Sequence, residues 1–492
     1  MSAETQIRPR ERSGAAGYPG ELALFVAGEW VSGGGRETIP VVNPADERIL
    51  GRLPLAAAAD LDAALAGADR AYPAWRALAP DARGRILRRA AELLRDRTEA
   101  LATVATLEEG KPLAETRIEV AMAAGTLEWY AEEGRRAYGR VLVQRAPGTR
   151  MTVVREPVGP VAAFAPWNFP LANPARKIGA ALAAGCPCIL KPAEETPASA
   201  LAVVRALEDA GLPAGVLSVV FGVPAEVSGH LLASPVIRKV SFTGSVPVGK
   251  QLVKLAADTM KRTTMELGGH APVIVLDDVD IDAVLDQAVA AKYRNAGQVC
   301  VSPTRFYVHE SVYERFAAGF AQRTRALAVG DGLAAGTQMG PLAHDRRPAA
   351  VESIVADATA RGARVLAGGA PIGGPGYFWE PTVLVDAPRD ARVLNEEPFG
   401  PLAVIAPIAD LDEAIAEANR LPYGLAAYAF SHQARAVREL GERLEAGMVG
   451  LNTFAISVPE SPFGGVKESG HGSEEGIEGL EACLITKFVN EG

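Results

Sequence analysis

VGPVAAFAPWNFPLANPARKIGAALAAGCPCILKP, residues 158 to 192, contains a short apolar strand, a proline-punctuated turn, a helix running to Ala184 and a second apolar strand. The alternation continues with a helix near 198 to 210, VLSVVFG, KVSFTG and a helix over 248 to 258. Short apolar strands alternating with helices predict a parallel α/β sheet. A second alternating block runs from APVIVLDD, which begins at Ala271, to about Leu451, so two α/β domains are expected. Upstream, LFVAGEWV has strand character, and residues 57 to 138 are dominated by helical patterning. There Ile86, Leu87, Ala90, Leu93 and Leu94 form one apolar stripe. From 139 the pattern changes: RVLVQ and RMTVVREP flank the turn-like APGT as a hairpin, and the chain ends on the strand-like ACLITKFV. Projecting edges of this kind usually pair with another chain, so hairpin and terminal strand predict an assembly device.

The bulk properties narrow the function classes. A chain of 492 residues is long enough for two or three domains, and 48% hydrophobic with 22% charged residues is an ordinary globular mixture. The net charge of -9 argues against a nucleic-acid-coating surface. Residues 1 to 20 lack the apolar stretch of a secretory signal and read as a loose tail. The uncharged run from Pro157 to Ala175 carries five prolines, which defeats a membrane-spanning helix. Four cysteines make no disulfide framework and predict reduced thiols in a cytoplasmic setting. Six scattered histidines and a lone Cys186–Cys188 pair predict no metal site.

Chemistry centres on a few short stretches. SFTGSVPVGKQL, 241 to 252, meets all but the last position of the nucleotide-triphosphate loop through Gly244, Gly249 and Lys250, but Gln251 replaces the hydroxyl that would hold Mg2+. A dinucleotide site or a plain turn are the other readings. Cys300, in RNAGQVCVSPTR, lies between a helical run and a β-rich one, a setting that can expose and activate a thiol; by itself this context favours a buried structural cysteine. Asn168 in PWNFP is held between prolines, where a rigid amide can stabilise an oxyanion. Glu266 in MELGGH precedes two glycines and is a candidate general base.

Together these stretches resemble the aldehyde dehydrogenase superfamily: PWNFP (166 to 170), KPAEETP (191 to 197), FTGS with Gly249, MELGG (265 to 269), GQVC (297 to 300), EEPFGP (396 to 401) and PFGGVKESG (462 to 470). Seven collinear motifs at the family's separations cover the chain from about residue 22 to its end. The resemblance implies a Rossmann-type NAD-binding domain over 21–138 and 159–268, a catalytic domain over 269–470, and a small β oligomerisation element over 139–158 and 471–492 of a homodimer or homotetramer. It implies that Cys300 attacks the aldehyde, that Asn168 and the Cys300 backbone N–H form the oxyanion hole, and that Glu266 activates the water that hydrolyses the thioester. Trp167, Lys191, Glu194, Gly244, Ser245, Gly268, Glu397 and Phe399 are then the cofactor contacts. A carboxylate at Glu194 accepts from a free ribose 2'-hydroxyl but repels a 2'-phosphate, which favours NAD over NADP.

Within the superfamily, the flanks of Asn168 and Cys300 look most like the succinate-semialdehyde subgroup. Arg176, Arg294 and Ser457 match that subgroup's contacts to a distal carboxylate, with glutarate and 2-oxoglutarate semialdehydes as rival substrates and a broad-specificity enzyme as another. Each charge-assisted contact is worth on the order of 1.5 to 3 kcal/mol. Some relatives carry a second cysteine two residues after the nucleophile; Ser302 stands there instead, so a redox switch is not expected. The readings from other classes are a nucleotide hydrolase, a cysteine hydrolase using His270, and a non-catalytic protein of the same fold.

Overall fold

The computed structural model describes residues 17–492. Most of the tail expected over 1 to 20 therefore lies outside the described residues. Its end is anchored: Tyr18 is buried and its hydroxyl donates to Glu108 Oε1 at 2.7 Å.

The first sheet has eight strands, in the order Glu29–Ser32, Ala23–Val26, Leu217–Val219, Cys188–Lys191, Val161–Phe164, Lys239–Gly244, Arg262–Leu267 and Gly470–His471. The middle five run parallel and the outer ones antiparallel. Numbered along the chain, the parallel strands lie in the order 3-2-1-4-5, which is Rossmann-like. The strand order reverses between Val161–Phe164 and Lys239–Gly244, so a cleft opens at their carboxyl ends. Asn168 follows the first of these strands and Ser245 follows the second.

These strands are covered on both faces, which is why they read as continuous apolar runs. The helix Ala172–Ala184 is buried along its whole length. At Gly179 a Cβ would come within 2.8 Å of the Tyr130 ring, so glycine alone admits the close approach of the helix Leu113–Glu133.

A second, seven-stranded sheet has its own core. Its order is Arg364–Ala367, Thr382–Val385, Leu402–Ile408, Pro303–His309, Ala271–Val275, Ala426–Phe430 and Met448–Leu451, parallel except for the first strand. Phe306, Phe316 and Phe320 stack in that core beside Tyr293, with Phe306 and Phe320 centroids 5.0 Å apart. The terminal strand Leu484–Glu491 pairs antiparallel with Arg150–Pro157, which pairs with Arg140–Leu142, so hairpin and terminus share one three-stranded sheet. Val141 and Phe488 are exposed on it, and Val143 just beyond its first strand. Among the described residues no helix is long and apolar enough to cross a membrane.

Candidate active site

Two cavities meet at the carboxyl ends of the first sheet. One, of about 780 Å³, is lined by Lys191, Glu194, Phe242, Thr243, Val248 and Leu252. The other, of about 630 Å³, brings together Asn168, Glu266 and Cys300. It also takes in Trp167, Gly244, Ser245, Gly268, Glu397, Phe399, Arg176, Arg294 and Ser457. Pro166 and Thr243 line both, so the residues singled out in the sequence converge on one continuous cleft.

Cys300 is delivered by a strained turn. The helix Ile281–Tyr293 ends, and Asn295, Ala296 and Gly297 take φ values of 50°, 50° and 70° before the chain enters the strand Pro303–His309. A Cβ at Gly297 would lie 2.1 Å from the Gly400 carbonyl oxygen, so this position requires glycine. Burial first, then Glu397, push the Cys300 thiol up to about 12, against the opposing pull of Arg176 and Arg294.

Asn168 is held at its amide and its backbone carbonyl. Its Nδ2 donates to the Gln298 carbonyl at 3.1 Å and its Oδ1 accepts from Asn173 Nδ2 at 3.3 Å. Its backbone carbonyl accepts from Lys111 Nζ at 2.7 Å and Asn295 Nδ2 at 3.0 Å. One Nδ2–H is committed to Gln298, and the second is available to a ligand in the cavity.

Glu266 ends the Arg262–Leu267 strand, paired opposite Gly470, and is 2% exposed. Neither carboxylate oxygen has a hydrogen-bond partner among the described residues. Burial, followed by Glu474, holds its carboxyl well above the ordinary range, although Lys177 and Arg176 pull the other way. Among the described residues, Glu109 and Glu475 each leave one buried oxygen without a partner, whereas Glu266 leaves both. Glu108 shows the contrast: it accepts from Tyr18, Ala198 and Ser199.

The cleft fits a dinucleotide. The helix Val246–Ala257 opens at Ser245, whose side chain caps nothing, leaving the N-terminal amides available to phosphate. A Cβ at Gly268 would lie 2.3 Å from Glu397 Oε2, and Gly269 N donates to Glu397 Oε1 at 3.3 Å. Burial pushes the Glu397 carboxyl up to about 8. Trp167 packs edge-on against Phe399 at 5.4 Å and His344 at 5.2 Å. Glu194 pairs with Lys191 at 2.6 Å and accepts from Gly222 N at 3.1 Å, so a cation and a carboxylate are fixed side by side at the cavity wall.

Within the glycine loop, the missing Cβ of Gly249 makes room for the Leu267 side chain, 2.4 Å from where the Cβ would be, and so seats the helix on the sheet. Lys250 pairs on the surface with Glu468 at 2.8 Å, while Gln251 lines the larger cavity. His270 is turned away from the thiol: its Nε2 donates to the Val393 carbonyl at 3.0 Å, and it lines neither of these cavities.

Arg176 and Ser457 meet directly, Nη2 donating to Oγ at 2.9 Å. Arg176 also lies over the Phe463 ring at 4.5 Å, and its Nε is 3.0 Å from Glu475 Oε1. That buried partner was not foreseen; it takes one side of the guanidinium fork and part of its charge. Lys177, the neighbouring cation, pairs with buried Glu474. Arg294 lies over the Phe169 ring at 5.7 Å. Sequence reasoning also missed Lys111, Glu115 and Glu119, which lie beneath the cleft. Their only signal was a charge-rich EEGK–AETRIE stretch that reads as a solvated helix start.

A Rossmann-order sheet opening onto a thiol, a carboxyl and a carboxamide defines an α/β oxidoreductase of the dinucleotide-using class. The chain belongs to the aldehyde dehydrogenase family, whose sequence profile matches residues 30–489. It is similar to 4-(hydroxymethyl)benzenesulfonate dehydrogenase TsaD1 of Comamonas testosteroni, 53% identical over 95% of this chain and 97% of that one. It is also similar to the NADP(+) succinate-semialdehyde dehydrogenase of Escherichia coli, 46% identical over 94% of this chain and 96% of that one. A solved succinate-semialdehyde dehydrogenase from Burkholderia pseudomallei superposes with a TM-score of 0.94 at 44% identity, covering 97% of this chain and 98% of that one. The protein is thus an enzyme that oxidises aldehydes to carboxylic acids with NAD(P).

Proposed function

We propose that the enzyme oxidises an aldehyde carrying a distal anionic group, with succinate semialdehyde as the leading carboxylate substrate. The observation that carries this is the Arg176–Ser457 contact, which shares a cavity with Arg294 and Cys300. Two guanidinium forks and a hydroxyl match the acceptor oxygens of an acid, while Phe169, Phe454 and Phe463 supply the apolar walls between. The relative with a benzenesulfonate in its name favours a second reading, an aromatic aldehyde sulfonate, because a sulfonate offers these donors similar oxygens.

In this reading Cys300 Sγ attacks the aldehyde carbon, and Asn168 Nδ2 with the Cys300 backbone N–H stabilises the oxyanion that forms. Bound in the cleft, NAD(P) supplies the hydride acceptor, leaving a thioester on Cys300. Glu266 then takes a proton from the water that hydrolyses it. Lys191 and Glu194 would hold the adenosine ribose, Ser245 and the Gly244 backbone would meet the pyrophosphate, and Glu397 with Phe399, Trp167 and Gly268 would seat the nicotinamide end. The chain divides into a cofactor domain (21–138 and 159–268) and a catalytic domain (269–470). The exposed three-stranded sheet formed from 139–158 and 471–492 pairs copies into a homodimer or homotetramer.

The test is NAD(P)H formation across succinate, glutarate and 2-oxoglutarate semialdehydes, 4-formylbenzenesulfonate and hexanal. Arg176→Ala and Arg294→Ala should each lower kcat/KM for the preferred anionic aldehyde by about 10- to 100-fold, while hexanal changes by less than about threefold. If acidic aldehydes survive both changes and hexanal works equally well, the anion reading is wrong. With the Glu194 carboxylate at the ribose, kcat/KM should favour NAD over NADP by at least about tenfold, and Glu194→Ser should narrow that ratio. Equal efficiency with NADP would overturn the NAD preference.

A further inference from the structure

Beneath the cleft lies a buried charge cluster to which the reaction above assigns no part. Lys111 is 1% exposed and sits where the chain enters the helix Leu113–Glu133. Its Nζ donates to Glu119 Oε2 at 2.7 Å and to the Asn168 carbonyl at 2.7 Å, and lies over the Phe169 ring at 4.2 Å. Glu119 Oε1 in turn accepts from the backbone N–H groups of Leu171 and Ala172, at 2.8 and 3.2 Å, where the helix Ala172–Ala184 begins. Glu115, one turn before Glu119, accepts the Asn295 N–H at 2.9 Å. One helix therefore grips both the Asn168 loop and the left-handed turn that delivers Cys300.

We infer that Lys111, backed by Glu119, is a positioning residue that aims the Asn168 amide at the oxyanion. This rests on the proposed role of Asn168. A charge-assisted bond to a backbone carbonyl inside the protein is stronger than a neutral one, and here it acts on the carbonyl of the residue whose side chain must be aimed. Burying a lysine beside Glu109 and Glu119 is costly unless every charge is satisfied. Burial opposes the charge, but Glu109 and Glu119 outweigh it and hold Lys111 above its ordinary value, so it stays a cation and a donor. The Asn295 side chain shares the same carbonyl, so the clamp joins the two halves of the site.

The experiment compares Lys111→Met/Glu119→Gln with Asn168→Ala and with the triple variant. Lys111→Met alone would strand Glu119 as an unpaired buried charge and risk unfolding; pairing it with Glu119→Gln removes both charges and keeps an acceptor for Leu171 and Ala172. A displaced donor should lower kcat by about 30-fold, with KM for aldehyde and NAD(P) changed less than about twofold. Iodoacetamide labelling of Cys300 needs no oxyanion donor and should stay within about twofold. In the Asn168→Ala background the same pair of changes should cost less than about twofold, since both act through one amide.

Losses that multiply in the triple variant, a kcat within about threefold of the parent in folded protein, or labelling that falls in step with kcat would overturn the inference. An Asn168→Ala enzyme with undiminished kcat would instead overturn the oxyanion role itself. That result is read from the single variant, so the two failures are distinguishable.

Discussion

Cys300→Ala is expected to lower kcat by about 10⁴-fold or more, because without the thiol no covalent adduct forms and the aldehyde carbon stays sp2. That loss corresponds to about 5.5 kcal/mol of transition-state stabilisation. The remaining thiols cannot substitute: Cys186, Cys188 and Cys483 are buried away from the cleft. In the protein without cofactor, burial and then Glu397 push the Cys300 thiol up to about 12, so at neutral pH it is protonated. Below that value the thiolate fraction grows with pH, and iodoacetamide labelling should rise about tenfold per unit between about pH 7 and 9. The raised value also means that Cys300 stabilises the fold at lower pH and gives up that contribution as pH climbs through its folded pKa. Mass spectrometry of labelled protein checks the labelling rise, and denaturant unfolding across the alkaline range checks the stability loss; a labelling rate already level at pH 8 would show a thiolate held in the resting site.

Glu266→Gln should lower steady-state kcat by about 10²- to 10³-fold while leaving a burst of NAD(P)H. The amide is isosteric but cannot accept the water's proton, so acylation proceeds and hydrolysis stalls. Burial, then Glu474, holds the Glu266 carboxyl well above its ordinary value, so at any given pH less of it is in the basic form than for an ordinary carboxyl. The basic form gains as pH rises, so hydrolysis should climb with pH. Stopped-flow burst amplitude with steady-state rates from pH 6 to 10 checks this. The variant should lose the rising limb of the hydrolytic step and keep the burst, and a kcat within about threefold of the parent would rule Glu266 out as the base.

Much of this site was legible because its chemistry is carried by short contiguous motifs. The alternation around residues 158 to 258 depends on local patterning, and the elements placed from the apolar runs fall within a few residues of the observed ones, while the helix Pro224–Ala233 was not anticipated. Asn168, Glu266 and Cys300 stand out because unusual neighbours surround them: prolines, paired glycines and a Gly-Gln turn. Gly249 shows the limit of such reasoning. A glycine in a phosphate-type loop has two uses, and only the position of Leu267, eighteen residues on, shows that helix packing is the one in force.

Sequence alone determined the α/β class, the family and the set of residues that meet in the cleft, because spacing and residue type are local properties. Only the tertiary structure decided how those residues are held. Glu475 beside Arg176, Glu474 beside Lys177, and Lys111 with Glu119 beneath Asn168 are pairs joined across 8 to 299 positions. A buried charge is stable only with a partner, and which acid meets which base is set by where the fold brings helices together. The same placement leaves both oxygens of Glu266 without a partner among the described residues while Glu474 and Glu475 each meet a cation, which no reading of MELGG along the chain could show.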